Sequence, residues 1–288
     1  MTIYVLHHAD TDGRAAGYAA WRRFYFHAHY HEVQYGQPFP LDLTMLTKED
    51  EIYILDFSYS RVILEQVNVL VGKLVVLDHH KTAEEELRGL PYAIFDMSKS
   101  GALLGWEYFL PNEEVPKAVI LANDWDLWTF EYPETKAFQA GVIKTNVGNN
   151  WKKWYQLCTD DFALANVIKE GYHILEQQDN LIAKYIRGKN NILVTTFRGL
   201  RVALYNYREY ISEMAEAIYL DKTLNVDFTW GYFFLADGKC IFNYRAPKSN
   251  SVDVSEIAKS FGGGGHEKSA GASLEFSKAA AILAELYK

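Results

Sequence analysis

Three short apolar runs in the first third of this chain each stop at an acid or an imidazole. TIYVLH (2–7) leads into HADTD (8–12), EIYIL (51–55) into Asp56, and KLVVL (73–77) into Asp78, His79 and His80. The runs have strand length, and helix-like stretches at 13–30 and 59–71 lie between them, with a second short strand expected at 32–36. A further strand at 91–95 precedes helices expected at 100–110 and 115–124, with Pro116 at a tolerated first-turn position. Strands that are apolar throughout and alternate with helices predict βαβ units, hence a parallel sheet covered on both faces. Ligands of such sheets bind beyond the carboxyl ends of the strands, so the three polar tips are expected to converge. Asp10 and Asp12, two apart, share a side of any extended segment.

Converging carboxylates repel, and burying them unpaired is prohibitive. Only Arg14 and Lys81 lie near these tips in the sequence. Divalent cations resolve the charge: Asp10, Asp12, Asp56 and a fourth acid near 124 balance two of them, and histidines add neutral nitrogen ligands. A mixed Asp/His set suits Mn²⁺ better than Ca²⁺, which prefers oxygen alone. Paired metals clamp the attacking and leaving oxygens of phosphoryl hydrolysis. Asp56 taken singly reads as a turn residue; three tips of matching chemistry favour a metal site.

The second half differs. A helical pattern over 160–187 breaks at RGKNN (187–191), and antiparallel strands follow at 192–197 and 201–205. A helix is expected at 209–220, then a hairpin turning at Asp237-Gly238, a helix at 253–260, the run Gly262–Gly265, a strand at 271–276 and a last helix. The expected organisation is 1–160 as one domain, 161–190 as a linker helix and 191–288 as a smaller α/β domain.

Bulk properties bound the function. With 49% hydrophobic and 15% aromatic residues over 288 positions, the chain can bury full cores. A net charge of −8 argues against gripping a long duplex, which needs a basic face, while leaving room for a short phosphorylated substrate. Cys158 and Cys240 lack metal-site spacing. Residues 1–6 are apolar without a basic lead-in, and no stretch reaches membrane-span length. The expectation is a cytoplasmic protein without a membrane partner, and a homodimer is compatible with it.

HADTDG (8–13), LDFS (55–58), LDHH (77–80) and NDWDLW (123–128) resemble the motifs of the DHH phosphoesterase superfamily, and FGGGGHEKSAGA (261–272) resembles the signature of the DHHA1 domain. The wording of DHHKTA, SGALLGWEYF and DWDLW is similar to the nano-RNase B type. The resemblance implies an N-terminal parallel-sheet DHH domain, a DHHA1 domain after a linker, two divalent metal ions, Mn²⁺ foremost, and hydrolysis of short single-stranded RNA or DNA to mononucleotides. Cyclic nucleotides, cyclic dinucleotides or adenosine bisphosphate form the alternative substrate class, and a non-catalytic nucleotide-binding regulator is the other reading. Carried over by motif, His8, Asp10 and a bridging Asp56 hold one metal. Asp12, Asp56, His79 and Asp124 hold the other, with Asp126 the alternative to Asp124 and His7 a weaker one to His8. Asp78 supports a histidine, and His80 faces the phosphate. Glycines let backbone N–H groups approach an anion. The DHHA1 motif thus points to Gly264, Gly265 and His266, with Arg245 and a further cation at Lys248, as substrate contacts. Without the resemblance, the glycine run reads equally as a turn.

Overall fold

The computed structural model describes residues 1–188 and 190–288. It divides into two compact units, Met1–Leu175 and Glu176–Lys288. The cut falls inside one long helix, within the segment where the sequence suggested a separate linker.

The first unit begins β1 (Ile3–His8), α1 (Thr11–Phe24), β2 (Ala28–Val33), β3 (Glu51–Leu55), α2 (Arg61–Leu70), β4 (Lys73–Asp78), α3 (Lys81–Leu87) and β5 (Ala93–Phe95). It continues through helices α4 (Gly101–Phe109), α5 (Lys117–Asp126), α6 (Thr135–Lys144), α7 (Trp151–Thr159) and the start of α8 (Asp161–Arg187). The five strands are all parallel, in the order β2-β1-β3-β4-β5. Strand residues alternate between two cores. Val5, Tyr53, Leu55, Val75 and Leu77 pack with residues of α1, α4 and α5. Leu6, Ile52, Ile54, Leu74 and Val76 pack with Leu64 and Val67 of α2. Period-two alternation into two apolar layers is what helix cover on both faces requires, so the fold class expected from the sequence holds.

This strand order has a topological switch between β1 and β3. The chain leaves β1 to pair on one side with β2 and returns on the other side as β3, so a crevice opens beyond their carboxyl ends. His8, Asp10 and Asp56 stand there.

Two boundaries differ from expectation. The helix expected to reach residue 30 ends at Phe24, where Tyr25 takes a left-handed φ of 49°. The strand expected at 32–36 begins instead at Ala28, whose pairing with Ile3 sets the β1–β2 register. Helices α6 and α7 were not anticipated.

The second unit holds the rest of α8, then β6 (Ile192–Phe197), β7 (Leu200–Asn206), α9 (Ile211–Leu220), β8 (Phe228–Phe234), β9 (Lys239–Arg245), α10 (Val254–Ser260), β10 (Gly264–His266), β11 (Ser269–Glu275) and α11 (Phe276–Leu286). Its six strands run β10-β11-β9-β8-β7-β6, antiparallel except for the β7–β8 pair. One sheet face, with Trp230, Phe242, Tyr244 and Leu274, packs with residues of α10 and α11. Ala203 and Tyr205 of the other cluster with Met214 and Ile218 of α9. Among the described residues, no helix is long and apolar enough to cross a membrane.

Candidate metal centre

Asp10 caps α1, its Oδ1 accepting from the Gly13 N–H at 2.8 Å. Its other oxygen, Oδ2, lies 2.8 Å from His8 Nδ1, and Asp56 Oδ2 lies 3.7 Å from the same nitrogen. The His8 Nε2–H donates to Gln34 Oε1 at 3.1 Å. That bond places a proton on Nε2, so a neutral His8 ring turns its Nδ1 lone pair toward two carboxylates; among the described residues Nδ1 is buried without a well-aligned hydrogen-bond partner. Gly13 lets the first turn of α1 rest on His8: a Cβ there would stand 2.6 Å from His8 Cβ.

Asp12 is buried against the start of α4, where its carboxylate accepts from the N–H groups of Gly101 at 2.6 Å and Ala102 at 3.1 Å. Asp56 ends β3 in a left-handed conformation, φ 56°, a region that costs an ordinary residue about 1–2 kcal/mol and that Asp tolerates better than most. Its N–H donates to Leu77 O at 2.8 Å. His79 Nε2 lies 3.1 Å from Asp56 Oδ1, 3.2 Å from Asp126 Oδ2 and 3.9 Å from Asp12 Oδ2. The donor atoms of His8, Asp10 and Asp56 form one tight group, those of Asp12, His79 and Asp126 a second, and those of Asp56, His79 and His80 a third.

Asp124 is not among them. The motif had favoured it over Asp126, but the geometry reverses that choice. The buried Asp124 carboxylate takes hydrogen bonds from Thr129 Oγ1 (2.6 Å), the Glu131 N–H (2.8 Å), the Tyr132 N–H (3.3 Å) and Thr135 Oγ1. Its lone pairs are taken up in securing the loop after α5. Asp124 and Asp126, two apart on a helix, project about 200° apart, so only one can face the crevice.

His7 also lies elsewhere. Strand alternation sends it beneath α1, fully buried, where its Nδ1–H donates to His8 O at 3.0 Å and Trp151 packs on its ring at 5.6 Å. Asp78, wholly buried, holds the turn after β4: its Oδ1 accepts from the N–H groups of His79 (2.7 Å) and His80 (3.2 Å) and from His80 Nδ1 (2.7 Å), and Ser58 Oγ donates to its Oδ2. His80 therefore carries a proton on Nδ1, and its Nε2 makes no hydrogen bond among the described residues.

The electrostatics show what is missing. Burial, reinforced by Asp10 and Asp126, pushes the Asp56 carboxyl up to about 7. Burial, with Asp56 and Asp126 close by, raises Asp12 well above the carboxylate range, and burial raises Asp126. Asp10 and Asp56 lift His8 to about 10, and Asp78 lifts His80 to about 9. Among the described residues, no lysine or arginine pairs with these carboxylates; Arg14, the cation expected nearby, is engaged by Glu32 at 2.6 Å. Crowded acids whose partners are imidazoles rather than lysine or arginine, with His8 Nδ1 turned to two of them, fit divalent cations.

In the second unit, His266, Ser269 and Arg245 stand side by side across β10, β11 and β9. Arg245 Nη1 donates to Tyr244 O at 2.9 Å, and its Nε to Ser212 Oγ at 3.3 Å. The glycine run, which without the resemblance reads equally as a turn, is partly strand: Gly264–His266 pairs with Ser269–Gly271 at the sheet edge, exposed. A Cβ at Gly265, whose φ is 141°, would come within 2.6 Å of Ala270 Cα.

Residues 202–288 match the family model described as the DHHA1 domain. The chain is 28% identical, over 94% of its length and 67% of the other's, to a protein of Acanthamoeba polyphaga mimivirus. It is 24% identical, over 84% of its length and 63% of the other's, to the oligoribonuclease NrnB of Bacillus subtilis. The chain is similar to proteins of the DHH/DHHA1 phosphoesterase superfamily, with the DHHA1 match confined to its C-terminal part. It thus spans about two thirds of the length of these relatives. Among solved structures, the fold is shared with the pGpG-specific phosphodiesterase PggH of Vibrio cholerae, with a TM-score of 0.59, 15% identity and coverage of 99% and 97% of the two chains. Sequence reasoning missed Gln34, the partner of His8; it follows β2 and carries no motif of its own.

Proposed function

We propose that this chain is a two-metal phosphodiesterase that hydrolyses short single-stranded oligonucleotides to mononucleotides in the cytoplasm. The observation that carries this reading is Asp56, whose two oxygens face two different imidazoles, Oδ2 toward His8 and Oδ1 toward His79. A carboxylate shared in that way suits a bridging ligand. His8, Asp10 and Asp56 would hold one cation, and Asp12, Asp56, His79 and Asp126 the other. When bound, the cations would supply Lewis-acid activation of water and neutralise charge at the phosphate; the mixed nitrogen and oxygen donors suit Mn²⁺.

The chain's own groups do the remaining work. Asp78 fixes the His80 ring and keeps it protonated at neutral pH, so the free Nε2–H serves as a donor to a phosphate or leaving oxygen. Gln34 sets the His8 tautomer. In the second unit, Arg245, Gly264, Gly265 and His266 supply a guanidinium, exposed backbone and an imidazole for a terminal phosphate. The net charge of −8 suits a substrate of few phosphates, as does the name of the NrnB relative.

The test is a substrate panel with Mn²⁺: a labelled dinucleotide, a five-residue RNA, a cyclic dinucleotide, adenosine bisphosphate and pyrophosphate. Mononucleotide released from the two linear RNAs is the expected result. Turnover of the cyclic compound or the bisphosphate alone would reassign the substrate, and binding without any cleavage would make the chain a nucleotide-binding regulator.

A further inference from the structure

Helix α5 ends in a turn that a helix normally closes with glycine. The Trp128 N–H donates to Trp125 O at 3.1 Å and the Thr129 N–H to Asp124 O at 3.2 Å, the two bonds of a Schellman motif. Its left-handed position is filled by Trp128, with φ 58°, and two residues later Phe130 has φ 51°. Bulky side chains are disfavoured in this region. Asp124 keeps the segment in place through its bonds to Thr129, Glu131, Tyr132 and Thr135.

The strained residues are the ones that build a surface. The Trp128 and Phe130 rings are 4.7 Å apart, and Trp125 lies 5.2 Å and 5.8 Å from them. Trp128 remains 54% exposed, so burial of its own ring does not account for the strain. Lys136 Nζ lies 5.1 Å from the Phe130 ring centre. In the chain the cluster flanks Asp126, whose carboxylate meets His79. Backbone strain held in place by a buried network, beside a catalytic group, is a sign of function.

We infer that Trp125, Trp128 and Phe130 form a stacking surface for a nucleobase of the substrate whose phosphate occupies the carboxylate crevice, with Lys136 facing the charge of that nucleotide. The inference rests on the phosphodiesterase reading and deepens it: the site recognises a nucleotide by its base, which pyrophosphate or a simple diester lacks. An exposed aromatic platform binds any base by its π-face, so little sequence preference is expected.

The probe is 2-aminopurine riboside 5′-monophosphate, a product-like nucleotide whose fluorescence is quenched by stacking, titrated onto the full chain with Mn²⁺. Wild type should quench it saturably. Trp128→Gly should weaken binding about tenfold, Trp128→Phe should recover most of the loss, and the melting temperature of Trp128→Gly should hold or rise, since glycine suits the left-handed turn. Dinucleotide turnover by Trp128→Gly should fall, chiefly through a higher KM, and recover in Trp128→Phe. Unchanged quenching and affinity in Trp128→Gly would overturn the inference. So would a loss shared equally by Trp128→Phe and accompanied by a lower melting temperature, which assigns the ring to packing. If wild type cleaves no diester yet quenches the probe through Trp128, the phosphodiesterase reading fails and the stacking surface stands.

Discussion

Asp56 and Gly101 are matched by exclusion: a Cβ at Gly101 would lie 2.6 Å from Asp56 Cγ. The carboxylate at the end of β3 therefore sits where the first residue of α4 has no side chain. The Gly101 N–H meanwhile donates to Asp12, so one residue positions two acids of the crevice.

Gly101→Ala should push Asp56 aside and disturb Asp12. We expect destabilisation of about 1–3 kcal/mol in urea melts and, by calorimetry, Mn²⁺ affinity at least about tenfold weaker, in the range seen for groups that orient ligands. Wild-type Mn²⁺ affinity in that variant would show that the contact does not position Asp56.

The two acids of the α5 terminus should separate cleanly. Asp124→Asn leaves donors without an acceptor and should cost about 1–3 kcal/mol of stability. Asp126→Asn removes one crowded carboxylate, so the metal-free protein should be as stable as wild type or more so, while the rise in melting temperature on adding Mn²⁺ shrinks. The opposite pattern in thermal melts with and without Mn²⁺ would return Asp124 to the metal site.

Gln34→Ala frees the His8 ring to rotate and to exchange its proton between nitrogens. Mn²⁺ affinity should fall about 10–100-fold, and Gln34→Asn, too short to reach, should resemble it. Equal Mn²⁺ affinities in wild type and both variants would show that Gln34 is only a surface residue.

Burial lowers the pKa of His7 to about 4, while the unfolded chain titrates near 6.5. Between these values the unfolded state binds a proton that the native state refuses. Stability therefore rises with pH across that window, by up to about 1.4 kcal/mol per unit, and is lost as pH falls from 6.5 toward 4. Asp56, raised to about 7, slopes the other way over the same range, so the readout is a difference. Denaturant melts of His7→Asn, which can keep the bond to His8 O, should show this component gone; an identical pH profile would mean that His7 is protonated in the fold.

The sequence made the crevice legible because strand period and charge are both local. Val5, Leu6, Val75 and Val76 alternate between two cores, and only the strand tips carry acids. What stayed hidden was decided by distant partners. Asp124 and Asp126 are alike until Thr129 and Thr135 fold back onto one of them. Gln34 becomes meaningful only through its neighbour across the β1–β2 edge. The glycine run reads as a turn because its pairing with Ser269–Gly271 depends on backbone approach, which leaves no apolar pattern. Trp128 carries no signal of its own in the sequence, since nothing in the letters announces a left-handed turn.

The left-handed backbone at Asp56 makes that position selective before any chemistry begins. Asparagine, aspartate and glycine enter this region at low cost, whereas alanine, serine or glutamate would strain the peptide following β3. In a saturation library screened for folding alone, those three residues should predominate at position 56; screened for turnover, aspartate should survive alone. The gap between the two surviving sets measures how far the acid is kept for catalysis rather than for shape.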